Sequence, residues 1–216
     1  MERKQYSSTE LIALEKQQRT NLINSIEGFK SVVLVGTKST SSLENLAIFS
    51  SLVHIGAHPA LVGLIFRPSP PERDTLRNLL ETGFYTINHI SEAFFKQAHQ
   101  TSARYDAGVS EFKEVGLTPE FKADFFAPFV AESAVQMGIA FREKIDITIN
   151  NTIMVIGEII ELYVPEHAVE SDGFVNLEAL NTVTCSGLDS YHKTVQLDRL
   201  SYAKPTLSVR SILHND

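Results

Sequence analysis

Residues 43–68 read LENLAIFSSLVHIGAHPALVGLIFRP, and this stretch decides the fold. Two apolar runs can be cut from it, residues 46–53 and 60–66, and Gly56 and Pro59 lie between them as turn residues. Such a pattern predicts two antiparallel strands that are buried on at least one face.

The same stretch carries polar residues that a simple core strand does not need. These are Asn45, Ser50, Ser51 and Arg67. They lie at the predicted strand ends and on one section of the first strand, where hydroxyl and guanidinium groups could bind an anionic or hydrogen-bonding ligand. The alternative is that the serines are small strand residues and that Arg67 is an ordinary surface cation.

The composition indicates a globular protein of one domain. The chain has 216 residues, 43% of them hydrophobic and 21% charged. A net charge of −7 argues against a general nucleic-acid binder, because such binding depends on Lys and Arg. The single cysteine cannot form an intramolecular disulfide, and no signal sequence or membrane-length apolar run is present. We therefore expect a cytoplasmic protein that interacts with no membrane.

The rest of the chain predicts further strands with a few helices. Asn150 and Asn151 predict the turn of a long hairpin, because Asn tolerates positive φ. The remaining predictions are a strand over 31–36, a helix over 11–26 capped by Ser8 or Thr9 and ended by Gly28, a helix over 76–81, a strand over 84–90, a helix over 93–102, an irregular Phe-rich segment over 105–129, hairpin strands over 132–149 and 152–164, and a short helix after Gly173.

Many short antiparallel strands favour a closed or nearly closed barrel, because closure removes exposed strand edges. We expect a helical extension over residues 1–30, the barrel domain over 31–205 and a tail over 206–216. The chain lacks the GxGxxG and GxxxxGK[ST] motifs, which argues against the classical dinucleotide-binding and P-loop folds.

Several sequence blocks, taken in order, resemble the flavin reductase-like family with its FMN-binding split barrel. The blocks are NLAIFSS at 45–51, HPALVG at 58–63, FRP at 66–68, DTLRN at 74–78, TGFYTIN at 82–88, GLDSYH at 187–192 and RLSYAKP at 199–205. The resemblance extends from about residue 31 to residue 205. It implies a mainly β fold, namely an FMN-binding split β-barrel with peripheral helices.

The resemblance also implies a function. Many members of the family are homodimers that bind FMN near the subunit interface and reduce it with NADH or NADPH. Some supply reduced flavin to a separate monooxygenase. We therefore expect an NAD(P)H-dependent flavin reductase. The alternatives are an FMN-binding electron-transfer flavoprotein without nicotinamide turnover, and a barrel that binds a different small ligand.

The predicted cofactor-binding residues are Asn45, Leu46, Ala47, Ser50, Ser51, Arg67, Thr75 and His192. The two serines and Arg67 are expected at the FMN phosphate, with help from Thr75 or Lys38, and residues 45–47 are expected at the ring and ribityl chain. His192 is expected to line the flavin or nicotinamide side. No metal ligand or catalytic acid or base is predicted, because the flavin carries the hydride chemistry and the protein orients it.

Overall fold

A seven-stranded antiparallel sheet forms the body of the protein in the computed structural model, which describes residues 1–68, 74–106, 108–122 and 124–213. Its strand order is β3-β2-β6-β9-β10-β5-β4. The strands are β2 (Val33–Lys38), β3 (Glu44–Phe49), β4 (Leu52–Ala57), β5 (Ala60–Phe66), β6 (Phe84–His89), β9 (Gln136–Ile147) and β10 (Thr152–Tyr163).

Two smaller sheets and several short helices surround this body. The smaller sheets are formed by β1 (Lys30–Ser31), β11 (Val183–Ser186) and β12 (Ser190–Lys193), and by β7 (Pro119–Glu120) and β8 (Phe129–Val130). The helices are α1 (Ser8–Ala13), α2 (Lys16–Ile26), α3 (Asp74–Thr82), α4 (Phe95–Gln100), α5 (Glu111–Val115) and a 3-10 turn at Glu166–Ala168. None of the described helices has the length and apolar character needed to cross a membrane.

The mainly β fold and its longest hairpin are confirmed. β9 and β10 pair over their full lengths, and Asn151 adopts φ +57° at the turn, as expected of an asparagine there. The strands predicted over 31–36 and 84–90 correspond to β1 with β2, and to β6.

The strand predicted over residues 46–53 is wrong, because the chain breaks at Ser50 and Ser51. Residues before the break belong to β3 and pair with β2, whereas residues after it belong to β4 and pair with β5. The Ser51 hydroxyl explains the break. It accepts a hydrogen bond from the Ile65 N–H (3.2 Å) and donates one to the Ile65 carbonyl (3.0 Å). The Ser51 side chain therefore takes the place of a neighbouring strand as the hydrogen-bond partner of β5 at this point.

The sheet is not closed, so of the two expected forms, a closed or a nearly closed barrel, the protein has the second, and the split barrel is confirmed. β3 and β4 are the two edges of the sheet, and within the described residues they do not pair with each other. The barrel is therefore split at the short connection between these two edge strands.

Apolar side chains cover both faces of the sheet. One cluster fills the barrel interior and includes Val33, Leu64, Tyr85 and Ile139. The other lies on the outer face, where α4, α5 and β11 pack over β2 and β3. Strands buried on both faces explain why the sequence of β2 is apolar at consecutive positions rather than at alternate ones.

The helix predictions need three corrections. The helix predicted over 11–26 is two helices, because Ser7, rather than Ser8 or Thr9, caps α1 in a capping box with Glu10, and the Glu15 side chain caps a new helix. Gly28 follows α2 with φ +86°. The predictions over 76–81 and 93–102 correspond to α3 and to the shorter α4. The helix expected after Gly173 is wrong, since hydrogen-bonded turns occupy residues 177–181.

A buried polar network fixes the end of the Phe-rich segment to the sheet. Thr86 donates to the Pro128 carbonyl (2.7 Å), and Asn88 accepts from the Val130 N–H (3.0 Å). Gly36 on the neighbouring strand makes this approach possible, because a Cβ at that position would lie 2.3 Å from the Pro128 oxygen. The Pro128 oxygen belongs to the backbone, so it cannot move away cheaply.

We expect Gly36→Ala to lower the free energy of unfolding by about 1–3 kcal/mol, because the added methyl group overpacks a hydrogen-bonded site. Urea denaturation would measure the loss. Gly56→Ala is the matched control, since a Cβ there meets its nearest atom at an ordinary 3.6 Å. Equal stability of the two variants would contradict the packing argument.

Candidate functional site

A cavity of about 1170 Å³ opens at the split of the barrel. This volume exceeds the roughly 300–1,000 Å³ of typical ligand pockets. Its walls come from the β3–β4 connection, the end of β5, α2, the residues around the end of α4, and the β11–β12 hairpin. The cavity can therefore hold a nucleotide and leave room for part of a second ligand.

Four of the predicted residues line this cavity together: Ala47, Ser50, Ser51 and Arg67. They do not offer the same chemistry. The Ser51 hydroxyl already bonds Ile65, whereas Ser50 makes no side-chain hydrogen bond in the described part of the chain. Arg67 is exposed and forms no ion pair with any described residue. Ser50 and Arg67 are thus the groups on this wall that are best able to bind an anion.

The edge strand β3 adds backbone donors to the same wall. The Leu46 N–H donates to the Glu111 carboxylate (3.0 Å) and therefore points away from the neighbouring strand β2. Alternate amides of a strand point the same way, so the Ile48 N–H also points outward from the sheet edge. Burial raises the pKa of Glu111, whose carboxylate accepts the hydrogen bond from the Leu46 N–H. Ile48 lines the cavity and can offer its amide to a ligand.

Asn45, Leu46 and Thr75 do not line the cavity. The Asn45 amide donates to Thr75 Oγ1 (2.9 Å) and to Thr37 Oγ1 (3.1 Å), and all three residues are buried. Leu46 is fully buried in the outer apolar cluster. The structure therefore places these residues in links between β2, β3 and α3, and their role in cofactor binding stays a prediction.

His192 also lies outside the cavity lining, while its neighbour Tyr191 lies within it. The His192 ring contacts Ser186 Oγ (2.9 Å) and Ser190 Oγ (3.1 Å), with its edge against Phe29. Successive side chains of a strand point to opposite faces, so only one of the two neighbours can face the cavity. Burial raises the pKa of Tyr191 to about 12, which keeps its hydroxyl protonated beside His99 Nδ1 (2.9 Å).

Comparison with known proteins identifies the family. Residues 29–180 match the flavin reductase like domain. The chain belongs to the flavin reductase-like family. Its mainly β split barrel is the architecture of that family's solved members, and the assignment makes it a flavin-related oxidoreductase.

The chain is also similar to solved structures and to curated relatives. A provisionally assigned flavin reductase with a split barrel domain from Shewanella frigidimarina is 48% identical, with a TM-score of 0.89 over 93% of this chain and 100% of that one. Nitrilotriacetate monooxygenase component B from Bacillus cereus shares the fold, with 21% identity and a TM-score of 0.81 over 93% of this chain and 100% of its own. An uncharacterised protein from Halalkalibacterium halodurans is 27% identical over 83% of this chain and 87% of its own length.

The cavity wall suits the FMN expected of a flavin reductase-like protein. Arg67 and Ser50 offer phosphate donors, and the small side chain of Ala47 allows a flat ring to approach the strand. Phe49, Leu52 and Ile153 contribute to the apolar lining. These residues fit the phosphate and the ring with their own chemistry.

The sequence-based prediction missed much of the lining, including Phe29, Tyr191, and Gln17, Asn21 and Asn24 on α2. Two signals were present in the sequence. Residues 17, 21 and 24 recur at the i, i+4, i+7 spacing of one helix face, and strand alternation separates Tyr191 from His192. Thr101 and Ser102 follow α4 without any local signal, since only the tertiary fold brings them to the cavity.

The two adjacent serines should respond differently to removal of their hydroxyls. Ser51→Ala leaves two backbone groups of Ile65 without their partner, so we expect a loss of about 1–3 kcal/mol in the free energy of unfolding. Ser50→Ala, the matched control, should change stability by less than about 0.5 kcal/mol. Urea denaturation of both variants checks this, and equal losses would show that the Ser51 bonds do not hold the connection.

Proposed function

We propose that the protein binds FMN in the cavity at the barrel split and reduces it with NADH or NADPH. The observation that carries the proposal is the cavity itself. It brings together Ala47, Ser50, Ser51 and Arg67, four residues that the family resemblance assigns to FMN, in a chain that belongs to the flavin reductase-like family. Its volume leaves space beside one bound nucleotide for the nicotinamide donor.

In this proposal the phosphate of FMN lies at Arg67 and Ser50. An acidic protein needs local positive charge to hold a phosphate, and Arg67 is a cation without a described partner on this wall. Its planar fork matches phosphate geometry. The Ser50 hydroxyl and the outward Ile48 amide add neutral donors. Ser51 serves the site indirectly, because its bonds to Ile65 hold the connection in place.

The chemistry in this proposal belongs to the cofactor. Bound FMN supplies the hydride acceptor, so the protein needs no acid or base side chain for that step. The residues of the chain hold the ring along β3 and keep one face open to the rest of the cavity. Phe29 and Tyr191 offer aromatic surface on the walls built by β1 and β12, where a second ring could be excluded from water.

We further propose that the protein is a homodimer and that a monooxygenase receives its reduced flavin. Large apolar side chains stay exposed on the single chain and suit contact with a second copy; examples are Ile26, Leu197, Leu200, Tyr202 and Leu207. Nitrilotriacetate monooxygenase component B from Bacillus cereus, which shares the fold, supports the monooxygenase as electron acceptor.

A second candidate function is electron transfer by bound FMN without nicotinamide turnover. The flavoredoxin of Desulfovibrio vulgaris supports it, with a TM-score of 0.68 over 82% of this chain, although its 22% identity reflects the fold alone. The two candidates share the cofactor and differ in the electron donor.

Anaerobic reduction separates these candidates. We expect purified protein loaded with FMN to lose its flavin absorbance rapidly when NADH or NADPH is added, because the cavity has room for FMN and for part of the donor. Stopped-flow absorbance would follow the bleaching. Reduction by dithionite but by neither nucleotide would favour the electron carrier, and a protein that binds no FMN would contradict both.

Arg67→Ala should weaken FMN binding by about tenfold or more, which corresponds to the loss of one charged hydrogen bond. Quenching of FMN fluorescence on titration with protein would measure the dissociation constant. Arg77→Ala is the matched control, because Arg77 is an arginine of α3 that pairs with Asp74 and does not line the cavity. Unchanged affinity in the Arg67 variant would remove this residue from the phosphate site.

A further inference from the structure

Helix α2 presents its polar face to the cavity and apolar residues to solvent. Gln17, Asn21 and Asn24 line the cavity, whereas Ile26, on the opposite side of the helix, is 68% exposed and Ile23 is 38% exposed. Gln17 and Asn21 are exposed at the open side of the cavity, and Asn24 is half-buried. The amides of this face are therefore accessible to a ligand that enters the cavity.

The amide side chains of α2, which we call the amide stripe (Gln17, Asn21 and Asn24), keep unused hydrogen-bonding groups. Gln17 donates to the Asn21 side-chain oxygen (2.9 Å), and the Asn24 amide donates to the Thr20 carbonyl. These bonds leave the Asn21 nitrogen as a donor and the Gln17 and Asn24 oxygens as acceptors, with no other partner among the described residues. A primary carboxamide has the complementary set of groups, namely one carbonyl oxygen and an NH₂.

The charges around the amide stripe do not suit an anionic group. Lys30 is held by Glu27 (3.1 Å) and by the Asn24 carbonyl (3.2 Å), so its charge is already compensated. Asp189 adds a carboxylate to the same part of the lining, because it and Asn21 also border the small cavity beside α2. A neutral ring substituent is therefore favoured here over a carboxylate or a phosphate.

Phe29 provides an aromatic surface near the amide stripe. It lies three residues after the end of α2, lines the cavity and forms a T-shaped pair with His192, with 4.8 Å between the ring centroids. A flat apolar surface, the Phe29 ring, and the amide stripe thus both belong to the lining of the cavity. A planar ring that carries a carboxamide matches both features.

We propose that the amide stripe recognises the carboxamide of the nicotinamide ring, so that α2 determines specificity for the electron donor. The inference rests on the proposed function, since it assigns residues to the second ligand of the same cavity. The Asn21 nitrogen donates to the carboxamide oxygen, and the NH₂ group donates to Gln17 and Asn24. The phosphate wall at Arg67 is a separate part of the lining and binds FMN independently.

The test compares reduced nicotinamide adenine dinucleotide with its reduced 3-acetylpyridine analogue, in which a methyl group replaces the NH₂. The second-order rate constant for anaerobic bleaching of the FMN-loaded protein is measured for each donor, and their ratio is compared across variants, so that differences in intrinsic reactivity cancel. The variants are Gln17→Ala, Asn21→Ala and Asn24→Ala, with Lys16→Ala as control. Alanine favours helix, and Lys16 lies on α2 outside the cavity lining.

Gln17→Ala and Asn24→Ala should each reduce the preference for the carboxamide by about threefold to tenfold, the effect of one lost hydrogen bond. Asn21→Ala should slow both donors equally, because both retain the carbonyl oxygen. FMN affinity and the Lys16→Ala ratio should match the wild type. A ratio unchanged in both Gln17→Ala and Asn24→Ala would overturn the inference alone. A wild-type holoprotein that neither donor bleaches would overturn the proposed function as well.

Discussion

The pair of hydrogen bonds between Ser51 and the backbone of Ile65 is the constraint on which the site depends. The chain leaves one edge of the sheet at Phe49 and begins the opposite edge at Leu52. A longer connection could let the two edges separate further, and a continuous strand would carry Leu52 past the start of β2 instead of to its partner Leu64 in β5. Because Ser51 binds β5, the connection stays short and the split stays open. The cavity is the space that this arrangement leaves.

Polar residues beside the split divide into those used by the fold and those left for a ligand. Asn45, Thr37 and Thr75 satisfy one another in the interior, which costs less than leaving buried polar groups without partners. Ser50 and Arg67 instead line the cavity, where their side chains are available to a ligand. Residue type alone does not separate the residues used by the fold from those left for a ligand. An asparagine can form hydrogen bonds inside the core or to a bound flavin ring, and the sequence does not distinguish the two.

The sequence therefore predicts the fold better than it predicts the site. The Asn150-Asn151 turn and its two long flanking strands require only local pattern, and the hairpin follows from them. The break at Ser50 and Ser51 depends on a side chain bonding a strand fourteen residues away in the chain, so periodicity does not reveal it. The orientation of α2 is likewise set by tertiary packing, which places Leu22 beside the β11–β12 hairpin and leaves Ile26 exposed.

The match to the flavin reductase like domain begins at residue 29, immediately after the helix that carries the amide stripe. The proposed phosphate and ring contacts, from Ala47 to Arg67, lie inside the matched range, while Gln17, Asn21 and Asn24 lie before it. Binding of the shared cofactor can thus be a property of the barrel, and choice of the second ligand a property of the preceding segment. A helix added at the open side of a split barrel can change its polar face without disturbing the strands, because few of its side chains belong to the core. Specificity can then vary at little cost to stability.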